Sequence, residues 1–190
     1  SPEQLTALTN AAATGGLTSE QAGALSQGLS QAIATSTDPA VQQSIVTAAL
    51  ASGSDTVVNS VAQSAPPNIV AAAIQAVSSN ALSDSQEAAL ARGLQQAMTA
   101  STANPALQQA IVGASVASGR EAVVSTVVQA ATPEQVSTAI QAVGSADLSE
   151  SQVTALAAGL ADASRQLGEE SEVSTAISAA VSENTTVAFL

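Results

Sequence analysis

Apolar residues recur along this chain at helical rather than strand spacing. Leu25, Leu29 and Ala32 follow i, i+4, i+7 spacing, which places them on one face of a helix. Val57, Val58 and Val61 are β-branched, but they follow i, i+1, i+4 spacing between two helical segments, so they also indicate a helix. The pattern therefore predicts an all-α protein.

One stretch of the pattern occurs three times, at 17–29, 82–94 and 148–160, with starts 65 and 66 residues apart. Self-similarity at a fixed period is typical of repeat proteins. We name the four predicted helices of each copy D, A, B and C in chain order. We expect tandem repeats of about 66 residues, in about 2.7 copies with about eleven helices, stacked as an α-solenoid or as a series of small helical bundles.

The chain then divides into three repeats and a tail. The expected boundaries are repeat 1 at 1–65, repeat 2 at 66–131, a partial repeat 3 (D-A-B) at 132–183, and an apolar C-terminal tail at 184–190.

Polar residues and prolines mark the expected helix starts. Thr18 and Gln21 have the spacing of a capping box, which the other A helices repeat, and Asp38-Pro39 is typical of an N-cap followed by a first-turn proline. The expected helices include D at 2–13, 67–78 and 133–144, A at 18–35 and 149–167, B at 39–51 and C at 54–64.

A glycine recurs inside each A helix, as Gly28, Gly93 and Gly159. Glycine in a helix interior costs about 1 kcal/mol relative to alanine. Two interpretations stay open: the glycine lets a neighbouring helix approach closely, or it is a tolerated small residue in an alanine-rich helix.

The charge of the chain excludes several partners. Fifteen acidic residues stand against three arginines, giving a net charge of −12. Binding to nucleic acid or to an anionic membrane surface requires clustered cations, so neither partner is expected. The absence of a long apolar run argues against membrane insertion. The acidity is explained by solubility, with calcium or a basic partner as the alternative.

Catalytic chemistry has few candidate groups, because the chain contains no His, Cys, Tyr or Lys. Carboxylates near the starts of the A helices are the only acid–base candidates, and the helix dipole already favours anions there. We therefore expect that the protein is not an enzyme and that the carboxylates act in capping. These residues are Glu20, Asp84, Glu87, Asp147 and Glu150.

Metal and cofactor sites are not expected either. Zinc and copper sites need His or Cys, and no calcium-binding loop motif is present. Glu169, Glu170 and Glu172 form the densest acidic cluster, which we interpret as a solvated loop. Weak calcium binding there is the alternative.

The composition also indicates a location. The chain is rich in Ala, Ser, Thr and Gln, lacks Lys and Cys, and starts at Ser1 rather than at a methionine. This style is similar to helical units of silk-type proteins and of bacterial surface or filament subunits, a likeness of composition that covers no motif. We expect a secreted or cell-surface protein.

The expected function follows from the two ends of the array. The first D helix has no C helix before it, and the tail stands where a C helix would begin. A contact between unlike ends that does not close produces a filament. We expect a structural subunit whose partner is itself, forming a filament, fibre, sheath or surface layer through Val187, Phe189 and Leu190 at one end and Pro2, Leu5 and Leu8 at the other.

The alternative is a monomeric extracellular scaffold or adhesin module that binds a peptide, a glycan or a surface. An ice surface is the weakest of these options, because the threonines show no constant helical spacing.

Overall fold

The computed structural model describes residues 18–144, 148–168 and 170–183. These residues form ten α-helices and no strand, which confirms the predicted all-α class. The helices are α1 (Ser19–Thr35), α2 (Pro39–Leu50), α3 (Asp55–Ser64), α4 (Pro67–Ser78), α5 (Asp84–Ala100), α6 (Pro105–Ser118), α7 (Glu121–Gln129), α8 (Pro133–Val143), α9 (Glu150–Leu167) and α10 (Glu172–Glu183).

By sequence match, α1, α5 and α9 are A helices, and α2, α6 and α10 are B helices. The C helices are α3 and α7, and the D helices are α4 and α8. The predicted bounds of the helices within 18–183 agree with the observed ones to one residue. The helix expected at 2–13 lies outside the described residues, as does the tail at 184–190.

The predicted caps are present at the helix starts. Thr18 receives a hydrogen bond from the backbone N–H of Gln21, whose side chain accepts from the Thr18 N–H. The same capping box opens α5 at Ser83, α8 at Thr132 and α9 at Ser149. Asp38 caps α2, with Pro39 in the first turn. Because each cap satisfies backbone N–H groups that have no partner inside the helix, local sequence sets where these helices begin.

Packing follows an alternating order, in which each helix lies beside the helix two positions further along the chain. We call α1, α3, α5, α7 and α9 the A–C row, and α2, α4, α6, α8 and α10 the B–D row. Successive helices, such as α1 and α2 or α6 and α7, make the contacts between the rows.

The core is aliphatic and is shared along both rows. Leu29 and Ile33 of α1, Leu94 and Met98 of α5, and Leu156 of α9 are almost completely buried. These side chains belong to a single cluster that includes residues from all ten helices. Each buried Val, Leu or Ile contributes about 1.5–3 kcal/mol, so the rows are held together by many modest contacts.

Within the A–C row, neighbouring helices run in the same direction. Ser26 of α1 donates a hydrogen bond to the Thr56 carbonyl of α3 at 3.5 Å. One turn later, Ser30 lies 3.4 Å from the hydroxyl of Ser60 and accepts from Ser64 at 2.9 Å. The contact from an A helix to the next C helix is therefore partly polar.

Candidate functional site

Gly93 of α5 lies at a very close contact with α3. A Cβ atom built on Gly93 would be 2.4 Å from the Val58 Cβ and 2.8 Å from the Asp55 carbonyl oxygen. Real Cβ atoms do not approach other atoms this closely, so only glycine fits while α3 keeps this position. The interpretation of Gly93 as a close-packing residue is confirmed.

Gly159 of α9 makes the same contact with α7. A Cβ built there would be 2.8 Å from the Glu121 carbonyl oxygen and 2.8 Å from the Val124 Cβ. Val58 and Val124 are 66 residues apart and completely buried. The contact from a C helix to the next A helix is therefore built twice in the same way, with a valine against a glycine.

Gly28 of α1 occupies the same sequence position but has different surroundings. No atom of the described residues outside its own helical turn lies within 4 Å of a Cβ built on Gly28, and the residue is exposed. The described part of the chain therefore supplies no close contact that requires glycine here.

The exposure extends to the small residues on the same side of α1. We call Ala24, Gly28 and Ala32 the glycine surface; these residues are spaced four apart and therefore lie on one face of the helix. Ala24 is exposed and Ala32 is half-buried. Their counterparts in α5, Ala89, Gly93 and Ala97, are all buried.

At the other end of the described helices, an open groove lies between α9 and α10, and no described residue covers it. Its volume is about 280 Å³. We call it the terminal groove. Its walls are largely apolar and include Ala157, Leu160, Ala161, Ser164, Ile177 and Val181.

The matching surface 66 residues earlier, between α5 and α6, is covered. Helix α7 packs on both α5 and α6, where Ala91 and Ser115 are buried. Their counterparts Ala157 and Val181 are only partly buried. The terminal groove is thus the surface on which a C helix lies elsewhere in the chain.

The residues that the sequence assigned to self-association lie outside the described residues. These are Pro2, Leu5, Leu8, Val187, Phe189 and Leu190. The structure describes two surfaces on the helices that neighbour these segments in sequence, the glycine surface of α1 and the terminal groove of α9 and α10. Ala24 was not singled out from sequence, and Ala32 was assigned with Leu25 and Leu29 to the apolar face of the helix.

The carboxylate candidates take positions in the first turns of the A helices, at Glu20, Asp84, Glu87 and Glu150. Asp147 and Glu169 lie outside the described residues. Asp84 and Glu87 line an open groove of about 420 Å³ together with Glu121 and Asp162. No group of three or more acidic side chains in the described part of the chain is arranged to hold a metal ion.

Asp162 of this groove accepts a hydrogen bond that affects its titration. The Ser125 hydroxyl donates a hydrogen bond to it at 2.7 Å. That bond, with weaker contributions from Arg165 and Gln166, lowers the pKa of Asp162. An acid–base catalyst working near neutral pH needs a pKa raised towards 7, so the shift does not favour catalysis.

Arg120 has a structural role that the sequence pattern does not reveal. Its guanidinium donates to the Ser78 carbonyl at 3.1 Å and to the Asn80 carbonyl, at the C-terminal end of α4. It also pairs with Glu87 of α5 at 3.1 Å. A cation at a helix C-terminus is favoured by the helix dipole, so Arg120 ties α4 and α5 to the start of α7.

Comparison with known proteins identifies no relative: no family model, no curated protein and no solved structure matches this chain. Among the described helices, none combines the length and the apolar character needed to cross a membrane.

Proposed function

We propose that this protein is a non-enzymatic structural subunit, secreted or held at the cell surface, that associates with copies of itself head to tail. In this proposal the repeat of about 66 residues and four helices continues from one copy to the next as one α-solenoid. The product is a filament, fibre, sheath or surface layer.

One observation carries the proposal: a C helix covers the glycine position of the A helices at Gly93 and Gly159, whereas no described residue covers it at Gly28. Each glycine costs helix stability, about 1 kcal/mol relative to alanine. At two positions a close helix contact explains that cost. A contact with another copy gives Gly28 the same explanation.

We propose that the two ends of the described helices are unlike surfaces that fit each other. At the positions that match them, α3 covers Gly93, and α7 packs on both α5 and α6. An interface between two unlike surfaces is heterologous. When the rotation that relates successive copies does not close into a ring, such an interface produces a filament.

The packing of the B–D row supports the same proposed interface between copies. Leu5 and Leu8 match Val136 and Ala139 of α8 in the repeat. Both of those residues are buried, and α8 packs between α6 and α10. We propose that Pro2, Leu5 and Leu8 belong to a D helix that packs between α2 of its own copy and α10 of the neighbour.

The remaining chemistry of the chain fits a structural role. The sequence contains no His, Cys, Tyr or Lys to act as catalyst or nucleophile. We propose no cofactor, and we expect assembly to be unchanged by EDTA. Loss of assembly in EDTA would instead support calcium binding by the acidic loop.

Sedimentation velocity over a range of concentrations, followed by negative-stain electron microscopy, tests the proposal. We expect large species with the wild-type chain and monomer after deletion of 185–190. A matched variant keeps the tail length and replaces Val187, Phe189 and Leu190 with serine; it should also be monomeric, because the apolar side chains are what the joint buries.

Two results would contradict the proposal. Assembly that is unchanged by both tail variants would exclude the tail from the joint. A monodisperse wild-type monomer at high concentration would exclude self-association and favour the monomeric binding scaffold.

A further inference from the structure

Gln86, in the first turn of α5, uses both ends of its side-chain amide. The side-chain oxygen accepts a hydrogen bond from the backbone N–H of Ser83 at 3.0 Å, as part of the capping box of α5. The side-chain nitrogen Nε2 donates to the backbone carbonyl of Ala51 at 2.8 Å, at the C-terminal end of α2. One side chain therefore caps the start of one helix and the end of another.

The two helices joined by this bond are not main packing partners. Helix α2 packs chiefly on α1, α3 and α4, and α5 packs chiefly on α3, α6 and α7. The last carbonyls of a helix have no N–H partner within that helix, and the half-buried Ala51 gains its donor from a residue 35 positions away. Arg120 contacts the end of α4 from the start of α7 in a similar manner.

A glycine with positive φ gives the glutamine room beside the end of α2. Gly53 has a φ of +71°, and a Cβ built on it would lie 3.3 Å from the Cγ of Gln86. The matching contact is closer still: a Cβ built on Gly119, which has a φ of +60° and follows α6, would lie 2.7 Å from the Cα of Gln152 in α9. The described chain thus twice packs the capping glutamine of an A helix against the turn that follows the preceding B helix.

We infer that Gln86 links the local unfolding of α2 to that of α5. In an array whose helices contact only near neighbours, the contacts between successive parts decide whether the array opens in pieces or as one unit. Opening of the first turn of α5 removes the donor to Ala51, and opening of the last turn of α2 removes the acceptor of the Gln86 amide. The link lies within one copy and does not rest on the proposed self-association.

Gln86→Glu tests the link, because it keeps one function of the amide and removes the other. A glutamate oxygen still accepts from the Ser83 N–H, since Glu and Gln both serve in a capping box, but a carboxylate has no N–H to donate to Ala51. We expect hydrogen exchange of the backbone amides at 49–52 to accelerate on the order of tenfold, because an acceptor is left unsatisfied. NMR of dilute, monomeric samples measures the exchange residue by residue.

Gln21→Glu is the matched control. Gln21 accepts from the Thr18 N–H at 3.0 Å, as Gln86 does from Ser83, but among the hydrogen bonds of the described residues its Nε2 has no partner on another helix. The substitution adds the same charge at the same position of an A helix, so exchange at 49–52 should stay as in the wild type.

The location of the change decides between a link and a local effect on α5. Acceleration at 49–52 in Gln86→Glu alone supports the link. Unchanged exchange at 49–52 in Gln86→Glu, acceleration of equal size in both variants, or acceleration spread evenly over the described helices would each overturn it.

Discussion

Gly28 and Gly93 occupy matching positions of helices α1 and α5, yet their surroundings are opposite. Gly93 lies under α3, whose Val58 leaves no room for a side chain, whereas Gly28 is exposed with open space beside it. The local sequences around the two residues are similar, so the difference comes from what each helix packs against. The proposed contact with another copy would give Gly28 the same close packing that Gly93 has within the chain.

The largest expected effect in this comparison is on stability, through Gly93→Ala. We expect a loss of about 2–3 kcal/mol in the free energy of unfolding, because the added methyl group overpacks the contact with α3. Gly28→Ala should instead gain up to about 1 kcal/mol from helix propensity. Urea denaturation of monomeric samples measures both changes. Equal effects at the two positions would contradict the difference in packing.

The second expected effect concerns the contact between α5 and α7, which uses Arg120 rather than a glycine. Arg120→Gln should cost about 1–2 kcal/mol, because the hydrogen bonds to Glu87 and to the end of α4 are lost. Arg92→Gln is the control: its pair with Asp55 is largely exposed and should contribute at most about 1 kcal/mol. Thermal unfolding of the two variants compares their losses of stability. A larger loss for Arg92→Gln than for Arg120→Gln would refute the prediction.

The smallest expected effect is the pH dependence from Asp162, beside the contact of Gly159. Its pKa is lowered in the folded state, chiefly by the hydrogen bond from Ser125. It therefore contributes stability that is present above its unfolded pKa and is lost as the pH falls through the folded value. Asp162→Asn and Ser125→Ala should both flatten the stability profile below about pH 4. A profile unchanged by either variant would contradict this assignment.

Local sequence signals were sufficient to predict the helices of the described chain. Thr18 with Gln21, and Asp38 with Pro39, specify helix starts through contacts within a few residues. Such contacts are visible in the sequence because both partners lie in the same turn.

The packing of the helices against each other could not be predicted from local sequence, because the partners are distant along the chain. Helices pack against the second helix along the chain, so Gly93 meets residues that lie more than thirty positions earlier. Arg120 likewise reaches Ser78 and Asn80, while its counterpart Ser54 only caps its own helix. The alternatives for the three glycines could not be separated from sequence, because nothing local distinguishes a covered position from an exposed one.

The proposed self-association through the glycine surface is tested most directly by comparing the assembly of Gly28→Leu with that of Gly23→Leu, both measured by sedimentation. Both glycines lie in α1 with open space beside them, and position 23 already carries Ala88 and Thr154 in the other copies. We predict that Gly28→Leu folds normally and stays monomeric, because the leucine occupies the space needed by the neighbour, while Gly23→Leu assembles like the wild type. If a folded Gly28→Leu chain assembled as the wild type does, the proposed contact at Gly28 would be contradicted.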